Sequence, residues 1–258
     1  MNSLKLVFAV AKNSYKEIIR DRILYGILVF TVLLIGLSRV MGGLSFAEQE
    51  RIIVDFGLAG VHISVVILSV FIGSSLVSKE FEKRTVLTLL VRPLERYQYI
   101  CGKFIGFIAV IASLSIGLFA VLILITGAFE NGFNFTMLYT LHGFILESLV
   151  LASLTIAFSI YSKPIISVSF VLGVFIIGHW LDNLNYFAKS SESKVFRFMA
   201  EISNYIFPNL ELWNWKSQAV NREIVPFQQF LNANYNAIAW TGIFLCVAVL
   251  LFRKKDCA

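Results

Sequence analysis

The sequence predicts an all-α polytopic membrane protein: six transmembrane helices preceded by an N-terminal amphipathic interfacial helix. Three observations predict it. Of 258 residues, 58% are hydrophobic and only 15% charged, against roughly 25% charged in an ordinary soluble domain. The apolar residues gather in six long runs, each near the ~20 residues that cross a ~30 Å hydrocarbon core. The basic residues flank those runs instead of forming a face of their own. A water-soluble fold of this length has no interior large enough to hide so much apolar surface. The net charge of +6 therefore reads as membrane orientation, and no nucleic-acid partner is expected. The apolar runs extend almost from end to end, so residues 1–258 read as a single membrane domain.

The first element is an arm over residues 3–22. On a helical wheel Leu4, Val7, Phe8, Ala11, Tyr15, Ile18 and Ile19 share one face, and Lys5, Lys12, Asn13, Lys16, Glu17 and Arg20 the other. Such a helix suits an anionic membrane surface. The first apolar run begins only near Ile23 and no small-x-small cleavage site follows it. The first span is therefore expected to stay in the mature protein.

The six runs are 23–40, 56–78, 104–127, 136–161, 164–181 and 235–252. Runs four and five are parted only by Ser162, Lys163 and Pro164, and the proline makes that break a turn. Fifteen basic residues lie on the side of the two termini and seven on the other. Both termini are therefore expected in the cytoplasm, with an even number of spans in agreement. The extracytoplasmic loop, residues 182–234, holds Trp213, Trp215 and several Tyr and Phe residues. Short helices are expected there, with the tryptophans at headgroup depth. Cys101, Cys246 and Cys257 have no metal-ligand spacing and suggest no disulfide framework.

The segment 78–103, SKEFEKRTVLTLLVRPLERYQYICGK, is far longer than a turn between two spans needs. Val86, Leu87, Leu89, Leu90 and Val91 form an apolar patch, flanked by Glu80, Glu82, Arg92 and Arg96 and broken by Pro93. That composition suits either the groove of a soluble partner or a helix resting on lipid.

The pattern formed by Glu80, Phe81, Glu82, Thr85, Leu89, Leu90, Pro93, Arg96, Gly102 and Lys103 resembles the cytoplasmic loop of the ABC transporter type 2 permease family. The basic arm, the six spans, the closing Arg253-Lys254-Lys255 and Pro208-Asn209-Leu210-Glu211-Leu212 resemble that family too. Within the family the sequence resembles the branch containing the permeases for nitrous oxide reductase maturation and gliding motility. Arg84 and Leu87 depart from it, standing where Gly and Glu are frequent.

The resemblance implies a membrane-spanning permease subunit in a bacterial cytoplasmic membrane. It pairs with a second copy of itself as a homodimer, and two copies of an ABC ATPase subunit dock on the two coupling loops, 79–103. The coupling residues are then Glu80, Phe81, Glu82, Leu89, Leu90, Arg92, Pro93, Arg96 and Lys103. ATP and magnesium are expected on the partner ATPase, because this chain has no phosphate-binding G-x-x-x-x-G-K-[ST] loop. No cofactor and no catalytic residue are assigned to the chain. The size of the outer loop favours export over import.

Glu147 lies in the middle of run four. A carboxylate there costs a few kcal/mol on insertion scales, so it must face protein or water. It reads either as a group on the substrate path or as a helix-packing hydrogen bond to a serine of the neighbouring subunit. His62, His142 and His179 all fall in the outer halves of their spans, with Met41, Met137 and Met199 on the same side. Imidazole and thioether suit copper, but no two histidines have i, i+3 or i+4 spacing, and no metal site is assigned. Gly102 and Gly106 have the spacing of a close helix contact. Two readings from other classes remain: a membrane scaffold that anchors partners without moving solute, and an intramembrane enzyme built on Glu147 and a histidine.

Overall fold

The computed structural model of the chain describes residues 3–44, 48–82, 95–127 and 133–254. Among these residues every regular element is helical. In order they are α1 (Ser3–Ile19), α2 (Arg22–Gly43), α3 (Gln49–Glu82), α4 (Arg96–Thr126), α5 (Thr136–Ser159), α6 (Pro164–Ser190), α7 (Lys194–Ile206), a 3-10 turn (Leu210–Trp213), α8 (Lys216–Asn221) and α9 (Phe227–Lys254). Helices α2 to α6 and α9 are the six long and apolar enough to cross a membrane.

The ends of the spans follow from local chemistry. The Asp21 carboxylate accepts the Ile23 amide at 3.0 Å and starts α2. The Gln98 side chain returns to the Glu95 amide at 3.2 Å and closes the first turn of α4. Lys163 is extended and Pro164 opens α6, where the missing N–H of proline has no partner to lose. The narrow break expected between runs four and five is therefore a real turn. Serine and threonine hydroxyls inside the spans bond back to the preceding turn, as Ser69 does to Val65 O at 2.8 Å and Ser115 to Ile111 O at 2.7 Å. These bonds satisfy polar groups that lipid cannot.

Helices α3 and α5 are the centre of the bundle: 67% and 78% of their apolar windows are buried, against 22–39% for the other four spans. The outer spans turn large side chains outward, among them Val29 and Leu33 on α2, Ile166 and Ile176 on α6, and Ile238 and Leu250 on α9. Such continuous apolar exposure belongs to a lipid-facing surface.

Helix α1, the start of α4 and the end of α9 meet at one end of the bundle, the terminal end. Arg96 donates to the carbonyls of Phe252 and Arg253 at 2.8 and 2.7 Å, capping the carbonyl-rich end of α9. Tyr161 OH reaches Leu251 O at 3.3 Å. Helix α1 lies along the start of α4, where a Cβ on Gly102 would stand 2.7 Å from that of Val10. Gly106 meets the backbone of Ala11 in the same way. The glycine pair thus makes the close contact its spacing suggests. The strip of α1 that this contact buries centres on Ala11, Ser14 and Ile18, while Leu4 and Phe8 remain 82% and 70% exposed. The wheel finds the apolar face, but the small residues of α4 decide which part of it packs on protein.

The loop end differs from expectation in two ways. First, α6 continues to Ser190 and α9 starts at Phe227, so helix occupies both flanks of the 182–234 segment. Polar residues end an apolar window, but they do not end a hydrogen-bonded helix outside the hydrocarbon. Second, Trp213 and Trp215 are fully buried, not placed among headgroups. Trp213 Nε1 donates to Ala233 O at 2.8 Å, and Trp215 packs by Phe230 at 5.9 Å between ring centres. Aromatic composition alone suits an interface, but here the two indoles fill the space between α5 and α9.

The loop is also pinned by charge. Lys216 pairs with Asp55 at 3.1 Å, Arg222 pairs with Glu50, and Arg51 donates to Asn221 at 2.6 Å. Thr140 donates to Trp215 O at 3.0 Å. Helix α8 is therefore held against α3 and α5.

Candidate functional site

The two central helices, α3 and α5, and the outer span α6 each bring one ionisable side chain to the same place. Glu147 on α5 is 0% exposed. Its Oε2 lies 2.8 Å from His62 Nε2 on α3, and its Oε1 lies 3.0 Å from His179 Nε2 on α6. The other ring nitrogen of His179, Nδ1, lies 3.0 Å from Oε2 of Glu211 in the 3-10 turn. The result is a chain of four groups, His62–Glu147–His179–Glu211, running from the middle of the bundle to the loop.

Each member is held by something else. His62 stacks on Phe144 with ring centres 4.5 Å apart and planes 11° from parallel. The edge of His179 meets Phe175 at 4.7 Å. The Glu211 carboxylate accepts two bonds from Asn214 Nδ2, at 3.1 and 3.2 Å. Its backbone amide donates to Asn209 Oδ1 at 3.1 Å, and Asn209 Nδ2 donates to Asp182 at 2.9 Å. Glycine clears the approach of this loop to the spans. A Cβ on Gly178, next to His179, would stand 2.6 Å from Leu210 Cγ and 2.8 Å from Pro208 O. A Cβ on Gly143, one turn before Glu147, would collide with the carbonyl of Trp213.

For ionised carboxylates, hydrogen-bond chemistry sets the proton count. An ionised carboxylate only accepts, and an imidazole nitrogen donates only when it carries a proton. With Glu147 and Glu211 both ionised, His179 needs a proton on each nitrogen and His62 one on Nε2. The four groups then carry one net negative charge. Outside the spans, the His179 hydrogen bond holds the Glu211 carboxyl below its ordinary value, opposed by partial burial and helped by Asn214. Among the described residues, neither carboxylate has a lysine or arginine within ion-pair distance.

The structure places the other candidates as follows. His142 stands apart, on Asn234 Oδ1 at 3.0 Å. Glu80, Phe81 and Glu82 are the last residues of α3, while Leu89, Leu90, Arg92 and Pro93 lie outside the described residues. Arg96 is engaged with the end of α9, as above. Lys103 is buried and pairs with Glu17 of α1 at 3.1 Å. The alternative that Glu147 bonds to a serine of a neighbouring copy is not needed, because its two partners are in its own chain. The histidine pair escapes a search for helical spacing because its members come from different helices. Glu211 stood in the sequence only as part of a loop resemblance. Its link to His179 has no signal short of the tertiary fold.

Residues 8–257 match the family model described as ABC-2 family transporter protein. No curated protein matches the sequence.

Proposed function

We propose, from the premise that this chain belongs to the ABC-2 transporter family, how it works as the permease subunit of an ABC transporter. Two copies form the translocation unit, and each docks an ATPase subunit on the segment 79–103. The termini and that segment face the cytoplasm of a bacterial cell, and the loop end, with its pinned and substantial cap, faces outward. The direction is export. The branch that fits the sequence best is the one containing the permeases for nitrous oxide reductase maturation and gliding motility. ATP and magnesium act on the partner, and this chain does no chemistry of its own. Helix α1 rests in the membrane surface, with Leu4 and Phe8 towards lipid.

One observation carries this reading. A single unbroken helix, α3, holds His62 in the central cluster and ends at Glu80–Glu82, where the docking segment begins. At ~1.5 Å per residue, the eighteen steps from His62 to Glu80 span ~27 Å. Such a helix transmits displacement as a rod. The far flank of the segment is anchored too: α4 starts with Arg96 on α9 and Lys103 on α1. ATP-driven closure of the ATPase pair then moves α3 and α4 against fixed neighbours, and the His62–Glu147–His179 contact is where that movement is felt inside the membrane. Glu147 in this role stands behind the solute path, which it meets through the partly exposed His62 and His179.

The test is assembly. Purified permease is reconstituted with its candidate ATPase, and hydrolysis is measured in proteoliposomes. The permease is expected to bind the ATPase and change its rate. Glu80→Ala with Glu82→Ala is expected to abolish that change without altering the permease's own folding. If no ATPase associates, or the double variant behaves as wild type, docking at 79–103 is wrong. A complex that hydrolyses ATP but moves no solute across the membrane would instead support the scaffold reading.

A further inference from the structure

We propose that His62, Glu147 and His179 form a binding site for a divalent transition-metal ion of the zinc class, with Glu211 orienting one of its ligands. The proposal stands apart from transport: it requires neither the ATPase nor any solute.

The donor set and its geometry carry it. One atom from each residue, two imidazole nitrogens and one carboxylate oxygen, lies within 4.8 Å of the others. Two imidazoles with one carboxylate, leaving a position open, is a donor set that zinc accepts. A tetrahedral ion with bonds of ~2.0–2.1 Å holds its donors ~3.3 Å apart. The His62 and His179 contacts, 2.8 and 3.0 Å, are made to the two different oxygens of Glu147, and an ion draws the three donors inward from the 4.8 Å within which they lie. The two rings already face each other at 74°, with centres 5.8 Å apart.

The surroundings fit as well. The second nitrogen of His179 is on a carboxylate, Glu211, and that carboxylate is in turn held by Asn214. A carboxylate behind a ligating histidine fixes its tautomer and aims its free nitrogen at the metal. His62 is aimed by its stack on Phe144. Glu147 is closed off, whereas the side chains of His62 and His179 are 15% and 17% exposed, so an ion reaches the site from the histidine side.

Charge balances. On binding, the His179 Nε2 proton leaves to water, His62 moves its Nε2 proton to Nδ1, and His179 keeps its Nδ1–H on Glu211. Two neutral imidazoles, two carboxylates and a 2+ ion sum to zero. Without a cation the four groups carry one net negative charge when hydrogen-bonded throughout. His142 is not among the donors.

The test uses the full chain in detergent, stripped with a chelator and titrated with Zn²⁺ alone. Binding is followed by equilibrium dialysis with metal analysis, and Co²⁺ is used as a spectroscopic probe. About one equivalent per chain is expected, with cobalt bands of tetrahedral intensity. His62→Ala and His179→Ala are expected to weaken binding at least tenfold. Glu211→Gln is expected to weaken it about tenfold, as loss of a carboxylate behind a ligand does. His142→Ala is expected to bind as wild type. Should either alanine variant elute as aggregate, Glu147→Gln takes its place. The amide of that variant can still accept from His62 and donate to His179, so the fold keeps its hydrogen bonds while the ligand anion is gone. No stoichiometric binding, or binding unchanged in the folded variants, overturns the proposal.

Discussion

His179 and Glu211 meet at 3.0 Å, and that contact joins the loop end of the protein to the buried cluster. On the other side of the same ring is Glu147. The imidazole therefore ties a 3-10 turn outside the spans to a fully buried carboxylate on α5. Movement of α6 relative to α5 cannot leave the loop undisturbed.

Replacing Glu147 separates its hydrogen bonding from its charge. Glu147→Ala strips both histidines of their shared partner and leaves buried donors unpaired. We expect destabilisation of about 3 kcal/mol or more, seen as a lower unfolding temperature in detergent. Glu147→Gln keeps one acceptor and one donor in the same positions, and its unfolding temperature is expected to lie much closer to wild type. Equal losses in the two variants would remove the paired-histidine account of this residue.

Glycine at position 178 is a space requirement. In Gly178→Val the added carbons push against Leu210 and Pro208 and lift the turn that carries Glu211. The expected cost is about 1–3 kcal/mol, as for other overpacked contacts. Limited proteolysis within residues 191–226 should be faster in this variant. Gly173→Val is the control, because a Cβ there meets nothing within 4 Å; it should cleave at the wild-type rate.

The fold was legible in the sequence to a greater degree than the site. All six spans were visible because crossing lipid demands long apolar runs, and Pro164 marked the hardest boundary between them. Gly102 and Gly106 announced a close helix contact, since close backbone approach needs small residues, but not that α1 makes it. Trp213 and Trp215 misled, because composition tells that an indole is amphipathic but not whether protein or headgroups surround it. The cluster was half visible. Glu147 stood out as a carboxylate in an apolar run, yet its partners lie 85 residues before it and 32 after. No local period links residues that far apart, and only the packing of α3 and α6 on α5 brings them together.

Lys103 and Glu17 form the link between α1 and α4, with Lys103 buried and Glu17 half exposed. Glu17→Ala removes one anionic partner of a shielded ammonium. The expected loss is about 1–3 kcal/mol, between the values for surface and buried pairs. Glu17→Lys combined with Lys103→Glu should recover part of what each single change loses. A double-mutant cycle with no coupling between them would place the stability of the arm wholly in the Gly102–Gly106 contact.

Acid should release the loop through Glu211. Its carboxyl is held below its ordinary value, so the ionised form is the one the folded state favours. The stability it contributes is present above the unfolded-state value, ~4.3, and is lost as pH falls through the lower folded-state value. In chelator-treated protein, wild type should unfold at a higher temperature than Glu211→Gln at neutral pH. The gap should begin to close near pH ~4 and vanish below it. A gap independent of pH would assign the difference to shape and not to charge.

The central claim is that events at the docking segment reach His62 along α3. Ile63 neighbours His62 and is 46% exposed. A cysteine at that position, in a chain whose Cys101, Cys246 and Cys257 are replaced by serine, reports on the surroundings of the cluster. The measurement is its thiol-labelling rate in the reconstituted permease–ATPase complex, with and without a non-hydrolysable ATP analogue. The account predicts a nucleotide-dependent rate that becomes nucleotide-independent when Glu80 and Glu82 are changed to alanine. A rate that ignores nucleotide in a complex that hydrolyses ATP would contradict it.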